Sequence, residues 1–302
     1  MTQDRINAIA TLVVAGFGLL WGFYWMPVRA MVDHGLPGAW GTVLATVTAA
    51  IVLAPLVALR WRALLRADKV GLLSVAAGGA AFTLYSIGLV YGRVAIIILL
   101  YFLTPVWSVL IARYVMGWHT PALRIVAIFI GIAGLLVMLS AGGTLPMPRG
   151  VGEWMSLIAG ILWAVGTTGI RVRSDLGVIP ATFVFAIGAT LAGLALAPFF
   201  EPFPTLSLRD NGVGLLSLAL ATGVLWWGVS LAALMWATMR LDPARVGILM
   251  QTEVIVGAVS AALLAGEHLA TLEIIGGGMV VAAGLLEVWP VGRGRRGGGV
   301  RV

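Results

Sequence analysis

The sequence predicts an all-α integral membrane protein with ten transmembrane helices, arranged as a five-plus-five inverted-topology repeat. Three observations predict this class: the composition, the spacing of the apolar runs, and a faint internal repetition. Hydrophobic residues make up 61% and charged residues 10% of the 302 residues, whereas a soluble domain carries roughly 25% charged residues. A chain of this length cannot bury so much apolar surface within itself, so lipid must solvate its outer face.

Ten apolar segments are long enough to cross a membrane, since a spanning helix needs roughly 20 apolar residues. They run over about Ala8–Ala30, Gly38–Leu59, Val70–Tyr91, Val94–Tyr114, Ala122–Ala141, Val151–Ile170, Val178–Phe199, Val213–Thr238, Pro243–Leu264 and Thr271–Pro290. Asp242 followed by Pro243 is typical of an N-cap and first turn, and it predicts where the ninth helix begins. Pro105 lies inside the fourth helix, where a missing backbone hydrogen bond predicts a bend that fits either a static kink or a hinge.

The positively charged residues predict the orientation. If the N-terminus lies inside, Arg29, Arg93, Arg149 and Arg209 are the four of the 19 Lys and Arg residues that lie outside. Because positive residues concentrate on the cytoplasmic side of a membrane protein, we predict that both termini are cytoplasmic. The Gly/Arg-rich stretch after Trp289 is then a basic cytoplasmic tail, and the formal net charge of +7 needs no nucleic-acid partner.

Short similar segments recur in order along the two halves of the chain. Gly18–Gly22 resembles Gly160–Ala164 at an offset of 142 residues, and later similarities are separated by 143 to 150 residues. We therefore predict two repeats, residues 1–145 with helices one to five and residues 146–302 with helices six to ten. Because five is odd, the second repeat enters the membrane from the opposite side, as in transporters that work by alternating access.

Several aromatic residues lie at mid-depth rather than at the membrane surface, where tryptophan is usually found. At roughly 1.5 Å per residue, Trp21 and Trp163 lie within about 5 Å of the midplane, as mates across the predicted pseudo-twofold axis. A buried indole N–H needs a partner, either on a neighbouring helix or on a polar substrate. The candidate substrate-binding residues are Trp21, Tyr85, Tyr101, Trp107, Trp163, Trp226 and Trp227, with Gln251 for hydrogen bonds.

Glu253 is a carboxylate about ten residues into the ninth helix. An ionisable residue at this depth is a candidate for a functional site. Three interpretations remain open: a protonated structural residue, a site of proton coupling, or a contact for a substrate amine. The absence of a clear basic residue at mid-depth favours a neutral, zwitterionic or cationic substrate over a phosphorylated one.

The sequence lacks the motifs of the common enzyme classes. His34, His119 and His268 are not spaced as metal ligands, and neither a phosphate loop nor a nucleophile elbow occurs. The chain has no cysteine, which excludes disulfides and thiol chemistry. We therefore expect no enzymatic activity, no metal and no cofactor, and a monomer whose partners are a small-molecule substrate and the lipid bilayer.

Three motifs resemble those of a known family. They are Leu103-Thr104-Pro105-Val106, Thr252-Glu253-Val254 and Gly266-Glu267. With ten spans and two halves, the whole chain resembles the drug/metabolite transporter superfamily, EamA type. It departs from the common pattern because Pro105 lacks a preceding Glu, Glu253 lacks a following Pro, and Trp118 stands where the first half often has Glu.

The resemblance implies a multi-pass protein of the bacterial inner membrane that exports amino acids by alternating access. The cavity would be central and hydrophobic, with walls from helices one, three, four, six, eight and nine. The tryptophan motifs are similar to those of aromatic amino-acid exporters, which implies aromatic and other neutral amino acids as substrates. The alternative within transporters is a proton-coupled exporter of cationic or aromatic drugs; a membrane-embedded enzyme and a structural scaffold are the other classes.

Overall fold

A computed structural model describes residues 3–117, 121–141, 143, 146–204, 208–241 and 243–289, without the side chains of 208–211, 243, 244 and 288. The predicted N-cap Asp242, Trp118, His119 and the basic tail after Trp289 lie outside the described residues. Within these ranges the chain is helical and contains no β-strand.

The chain forms fourteen α-helices and two π-helical segments within the described ranges. The α-helices are α1 Gln3–Gly22, α2 Trp25–Asp33, α3 Trp40–Ala58, α4 Trp61–Arg66, α5 Lys69–Tyr91, α6 Val94–Tyr101, α7 Thr104–Leu110, α8 Ala122–Ser140, α9 Val151–Arg173, α10 Val178–Phe200, α11 Leu208–Ala221, α12 Leu231–Thr238, α13 Pro243–Leu264 and α14 Thr271–Val288. The π-helical segments are Ile111–Val115 and Thr222–Ser230.

Nine helical segments of the described chain are long and apolar enough to cross a membrane. They are Gln3–Asp33, Trp40–Ala58, Lys69–Tyr91, Val94–Val115, Ala122–Ser140, Val151–Arg173, Val178–Phe200, Gly212–Thr238 and Arg245–Leu264. Each coincides with one of the first nine predicted spans. The tenth predicted span coincides with α14, which has 18 residues and is not among these nine.

Two of the spans are interrupted, and a proline explains each interruption. A proline ring clashes with the carbonyl group four residues earlier and has no N–H to donate to it. Pro27 lies four residues after Phe23, where α1 and α2 are separated, and Pro105 lies four residues after Tyr101, where α6 ends. The freed oxygens find other donors: Phe23 O accepts from the N–H of Met26 at 3.0 Å, and Tyr101 O accepts from the Thr104 hydroxyl at 2.7 Å.

The bend at Pro105 was predicted from the sequence, whereas the interruption before Pro27 was not. A third irregularity, the π-helical segment Thr222–Ser230, divides the span formed by α11 and α12. π-Helical turns are rare and are often found at functional sites. These three irregularities lie in the interior of their spans, whereas the other π-helical segment, Ile111–Val115, lies at the end of the fourth span.

The helices of the two halves of the chain pack extensively on each other. Helix α5 packs on α9 and α10, α1 packs on α13, α3 packs on α10, and α8 packs on α14. Small residues allow these close approaches, as expected for helices that associate in lipid. A Cβ added to Gly152 would lie 2.8 Å from the carbonyl oxygen of Gly88, and one on Gly18 would lie 3.1 Å from the backbone nitrogen of Glu253.

Candidate functional site

A cluster of aromatic rings fills the centre of the bundle, around Phe82 of α5. The ring centroid of Phe82 lies 5.0 Å from that of Trp21 and 5.0 Å from that of Trp163, both edge to face. Tyr101 and Phe185 pack against the same ring at 5.7 and 5.2 Å. The structure thus brings together Trp21 of α1 and Trp163 of α9, which the sequence predicted as mates, through a residue that the sequence analysis did not single out.

The aromatic side chains on one side of this cluster are tied into a buried network of hydrogen bonds. Trp21 donates its indole N–H to Ser230 Oγ at 2.9 Å, and Trp227 donates to the Tyr24 hydroxyl at 2.9 Å. The Tyr24 hydroxyl is 2.8 Å from Ser86 Oγ, with either group as donor. Neighbouring segments therefore satisfy these indole groups, and Trp21 is only 1% exposed.

Trp226 contacts the backbone of the first span next to its interruption. Its indole N–H donates to the carbonyl oxygen of Leu20 at 3.0 Å, in the last turn of α1. On the other side of the break, Trp25 donates to Ser260 Oγ at 3.0 Å, and Ser260 lies 3.0 Å from the carbonyl oxygen of Gly22. The π-helical segment and α13 thus supply the polar contacts that the broken helix needs.

Polar groups on α6 and α7 are in a different situation. The Tyr101 hydroxyl and the indole N–H of Trp107 are buried and have no hydrogen-bond partner within the described part of the chain. Trp163 is half-buried, as is the Trp107 side chain. A buried polar group without a partner costs about 1–3 kcal/mol, so each of these two groups retains unused capacity for a hydrogen bond.

Glu253 of α13 lies against the same aromatic cluster. The Tyr85 hydroxyl donates to Glu253 Oε1 over a long 3.4 Å, and the rings of Tyr85 and Tyr101 are stacked with centroids 4.6 Å apart. Glu253 is 1% exposed. No Lys, Arg or His among the described residues forms an ion pair with it.

One end of the bundle carries a network of charged residues, which we name the Arg93 end and define by Arg29, Arg93, Glu267 and Glu273. Arg93 binds both carboxylate oxygens of Glu273, at 2.5 and 3.1 Å, and donates to the carbonyl oxygen of His268 at 2.7 Å. It therefore connects the loop between α5 and α6 to the first turn of α14.

Glu267 makes a second connection at the Arg93 end. Its two carboxylate oxygens accept from the backbone N–H groups of Val94 and Ala95, at 2.7 and 3.2 Å, and so cap the N-terminus of α6. Arg29 lies 3.5 Å from Glu267 Oε1 and also donates to the carbonyl oxygens of Leu89 and Gly92. The loop before α14 is thereby fixed to three segments of the first half.

The profile of one protein family matches almost the whole chain in two consecutive stretches. The EamA-like transporter family matches residues 8–140 and again residues 150–288. The chain belongs to this family. It is therefore a multi-pass membrane protein and a transporter of small solutes, and the prediction of an all-α membrane protein of the EamA type is confirmed at this level.

Comparison with solved structures supports the fold of this EamA-like transporter. A structure titled only "Crystal structure of protein" superposes with a TM-score of 0.60 and 17% sequence identity, over 92% of this chain and 96% of that chain. At this identity the similarity shows the fold alone. A search of curated proteins finds no match.

Three of the predicted site residues in this EamA-like transporter lie away from the aromatic cluster: Gln251, Pro105 and Trp107, which makes no ring contact with the cluster among the described residues. Gln251 contacts α14 at Gly284, and its Oε1 is buried without a partner in the described chain. Because successive residues of a helix are rotated by roughly 100°, Gln251 and Glu253 face in nearly opposite directions. Pro105 lines a narrow crevice with Arg124 and Glu287, against α8 and α14.

Several residues that build the site were not predicted from the sequence. Phe82 and Phe185 were missed because phenylalanine is ordinary in a transmembrane helix, whereas tryptophan at mid-depth is not. Tyr24 was missed although Pro27 follows it by three residues, and a proline inside an apolar run removes a backbone hydrogen bond one turn earlier. The described residues contain no group of three or more His, Cys, Asp or Glu side chains that could hold a metal ion.

Proposed function

We propose that this EamA-like transporter exports amino acids, aromatic and other neutral ones, by alternating access through a central cavity. The observation that carries the proposal is the aromatic cluster around Phe82, which draws its rings from both halves of the chain. Flat apolar side chains suit such walls because aromatic rings gain about 0.5–1.5 kcal/mol from packing on each other beyond area burial.

The polar groups near the cluster fit a zwitterion better than a large anion. Tyr101 and Trp107 offer buried hydrogen-bonding groups that have no partner in the described chain, and Glu253 offers a carboxylate. No Lys or Arg forms an ion pair with this carboxylate in the described residues. A phosphorylated substrate needs cationic partners in a site of this kind, so it is not the substrate we propose.

We further propose that α14 is the tenth span and that residues 1–145 and 146–302 form an inverted repeat. Two consecutive matches to one family profile support this division. The packing also supports it. In two such repeats the third span, α5, corresponds to the eighth, which ends in α12, and the sixth span, α9, corresponds to the first, which begins with α1. The contact of α5 with α9 therefore has its counterpart in the contact of α12 with α1. Helix α3 likewise packs on α10, and α8 on α14, as corresponding members of the two repeats.

The orientation that we propose places both termini in the cytoplasm of a bacterial inner membrane, with the Arg93 end outside. The distribution of Lys and Arg along the sequence supports it. The halves would rock against each other in a monomer, with the interruptions before Pro27 and Pro105 as points of flexure. A broken helix absorbs such motion more readily than a continuous one.

Three short motifs support the choice of aromatic amino acids. Leu20-Trp21-Gly22, Thr104-Pro105-Val106-Trp107 and Leu162-Trp163 are similar to motifs of the aromatic amino-acid exporter YddG. Trp21 and Trp163 lie in the aromatic cluster, and Trp107 lies on α7, one turn beyond the interruption.

Efflux of labelled tryptophan or phenylalanine from proteoliposomes tests the proposal. We expect an efflux that unlabelled neutral amino acids reduce by competition. We also expect Trp163→Ala to reduce it strongly. Trp154→Ala is the matched control, since Trp154 lies on the same helix but is exposed near its N-terminus. Equal flux in the two variants would show that the cluster is not the transport site, and no amino-acid flux in the wild type would overturn the proposal.

A second candidate, a proton-coupled exporter of cationic or aromatic drugs, is favoured by one observation: the buried carboxylate of Glu253. In an antiporter of this kind, protons that move down a pH gradient should drive tetraphenylphosphonium in the opposite direction. Glu253→Gln should abolish that coupling. An amino-acid carrier without proton coupling should be indifferent to the gradient.

A further inference from the structure

We propose that Glu253, Tyr85 and Tyr101 form a subsite for the ammonium group of the transported solute. The inference deepens the proposed function and rests on it, because it assigns one end of an amino-acid substrate to a particular set of atoms. We name these three residues the ammonium subsite. They come from α13, α5 and α6, so the subsite lies where the two halves meet.

The hydrogen-bonding groups of the ammonium subsite are poorly used by the protein itself. The bond from the Tyr85 hydroxyl to Glu253 Oε1 is 3.4 Å long, beyond the usual 2.5–3.0 Å of an O–H···O bond. The Tyr101 hydroxyl has no partner in the described chain, although its ring is stacked on that of Tyr85. An ammonium group has three N–H donors, and the two hydroxyl oxygens and the carboxylate are three acceptors.

The electrostatic surroundings of Glu253 differ from those of Glu273, the other buried carboxylate that contacts the first half of the chain. Glu273, with a side chain 7% exposed, has Arg93 as its counterion. Glu253, at 1% exposed, has no cationic side chain within ion-pair distance in the described residues. An ionised carboxylate in the membrane interior needs a compensating partner, so an ammonium group of the solute would stabilise the ionised form of Glu253.

The surroundings of the subsite also fit the rest of such a substrate. The Phe82 ring lies 5.7 Å from Tyr101 and 5.0 Å from Trp163. A cation at Glu253 would lie beside tyrosine rings, which attract cations through their faces. The side chain of the same molecule would then extend toward Phe82 and Trp163, so one residue set selects charge and the other selects shape.

The subsite is closed to solvent in this conformation, since all three residues are at most 4% exposed. A substrate reaches it only when α13 separates from α5 and α6. Ammonium binding and the opening of the bundle are therefore linked in this proposal. A solute that lacks the ammonium group would leave the Glu253 carboxylate without its counterion.

The test compares two analogues as competitors of phenylalanine efflux, at equal pH on both sides of the membrane. Phenethylamine keeps the ammonium group and lacks the carboxylate, whereas 3-phenylpropionate lacks the ammonium group. We expect phenethylamine to compete and 3-phenylpropionate not to. In Glu253→Gln, the inhibition constant of phenethylamine should rise about tenfold or more, the effect of losing a hydrogen bond to a charged group.

Tyr101→Phe is a second variant, which removes one hydroxyl and retains the stacked ring, and we expect it to weaken phenethylamine several-fold. Ile255→Ala is the control, because Ile255 lies on α13 but is exposed. Unchanged inhibition by phenethylamine in a folded Glu253→Gln protein overturns the proposal. The proposal is also overturned if Glu253→Gln loses its response to a pH gradient but is still inhibited by phenethylamine, because Glu253 would then be a proton site.

A binding measurement separates failure of the subsite from failure of the proposed function. Phenethylamine should quench the tryptophan fluorescence of the purified protein in detergent, with weaker affinity in Glu253→Gln. Quenching without any amino-acid flux overturns the proposed function and keeps the subsite. Flux of phenylalanine with identical phenethylamine binding in wild type and Glu253→Gln keeps the function and overturns the subsite.

Discussion

The two ends of the helical bundle are held together by very different contacts. At the Arg93 end, Arg93 and Glu273 form a two-point ion pair whose side chains are 39% and 7% exposed. At the opposite end, which we name the Arg173 end, the ion pair among the described residues is Arg173 with Asp68, at 3.9 Å and with side chains 59% and 40% exposed. An exposed pair of that kind contributes about 0–1 kcal/mol.

The difference indicates which end resists separation in this conformation. At the Arg93 end, the first backbone N–H groups of α6 donate to the carboxylate of Glu267, which thus caps this helix from the other half of the chain. At the Arg173 end, the carboxylate of Asp68 instead accepts from Val70 and Gly71 of its own helix. We infer that the bundle opens at the Arg173 end at lower cost, and that opening at the Arg93 end requires the network to break.

The largest expected effect comes from Arg93→Ala, which removes the ion pair that the buried Glu273 forms among the described residues. We expect a loss of about 1–3 kcal/mol of unfolding free energy, between the values for exposed and buried pairs. Equilibrium unfolding in mixed micelles measures it.

The same substitution should loosen the Arg93 end before the protein unfolds. The chain has no cysteine, so Ile97→Cys gives a single label site on a residue that is 0% exposed in the first turns of α6. We expect its maleimide labelling to accelerate several-fold in Arg93→Ala. Exchanging the charges, Arg93→Glu with Glu273→Arg, should restore slow labelling, and equal rates in all three proteins would mean that the pair does not hold this end closed.

The next effect is expected for Glu267→Ala, which removes the cap of α6 and the contact with Arg29. Loss of a helix N-cap costs about 0.5–2 kcal/mol. Glu267→Gln separates the two contributions, because an amide oxygen still accepts from Val94 but no longer attracts Arg29. If Glu267→Gln is as unstable as Glu267→Ala in the same unfolding assay, the charge rather than the cap carries the effect.

These contrasts also show what a single sequence can and cannot predict. Nine of the spans follow from apolar runs, and counting residues along them predicts a mid-membrane depth for Trp21, Trp163 and Glu253. The pairing of Arg93 with Glu273 does not follow, since the two residues are 180 positions apart and nothing local distinguishes them from loop charges that orient the chain.

The centre of the cluster was unpredictable for a similar reason. Phe82 is one apolar residue among many in α5, and only the tertiary packing of five other segments around α5 gives it six aromatic neighbours, one of which, Tyr85, lies on α5 itself. Gln251 is a different case, and its role in substrate binding stays a prediction. Its polarity and depth made it a candidate, but depth along a helix does not fix direction around it, and its side chain points at α14.

A smaller effect is expected at the Arg173 end for Asp68→Ala. The change removes the N-cap of α5, in which Asp68 accepts from Val70 N–H at 2.7 Å and Gly71 N–H at 3.0 Å. We expect a loss of about 1 kcal/mol, most of it local to α5. Asp68→Asn should restore most of the stability because asparagine caps helices about as well as aspartate.

The smallest effect is expected for Arg173→Ala, which removes the ion pair of the Arg173 end and leaves the cap on α5 intact. Because both side chains are substantially exposed, solvent and salt screen their attraction, and the change in unfolding free energy should stay below about 0.5 kcal/mol. Transport should be retained, since this end is the one that separates at low cost. If Arg173→Ala lowers the unfolding free energy as much as Arg93→Ala does, the two ion pairs stabilise the two ends equally. The proposed difference between the ends would then be wrong.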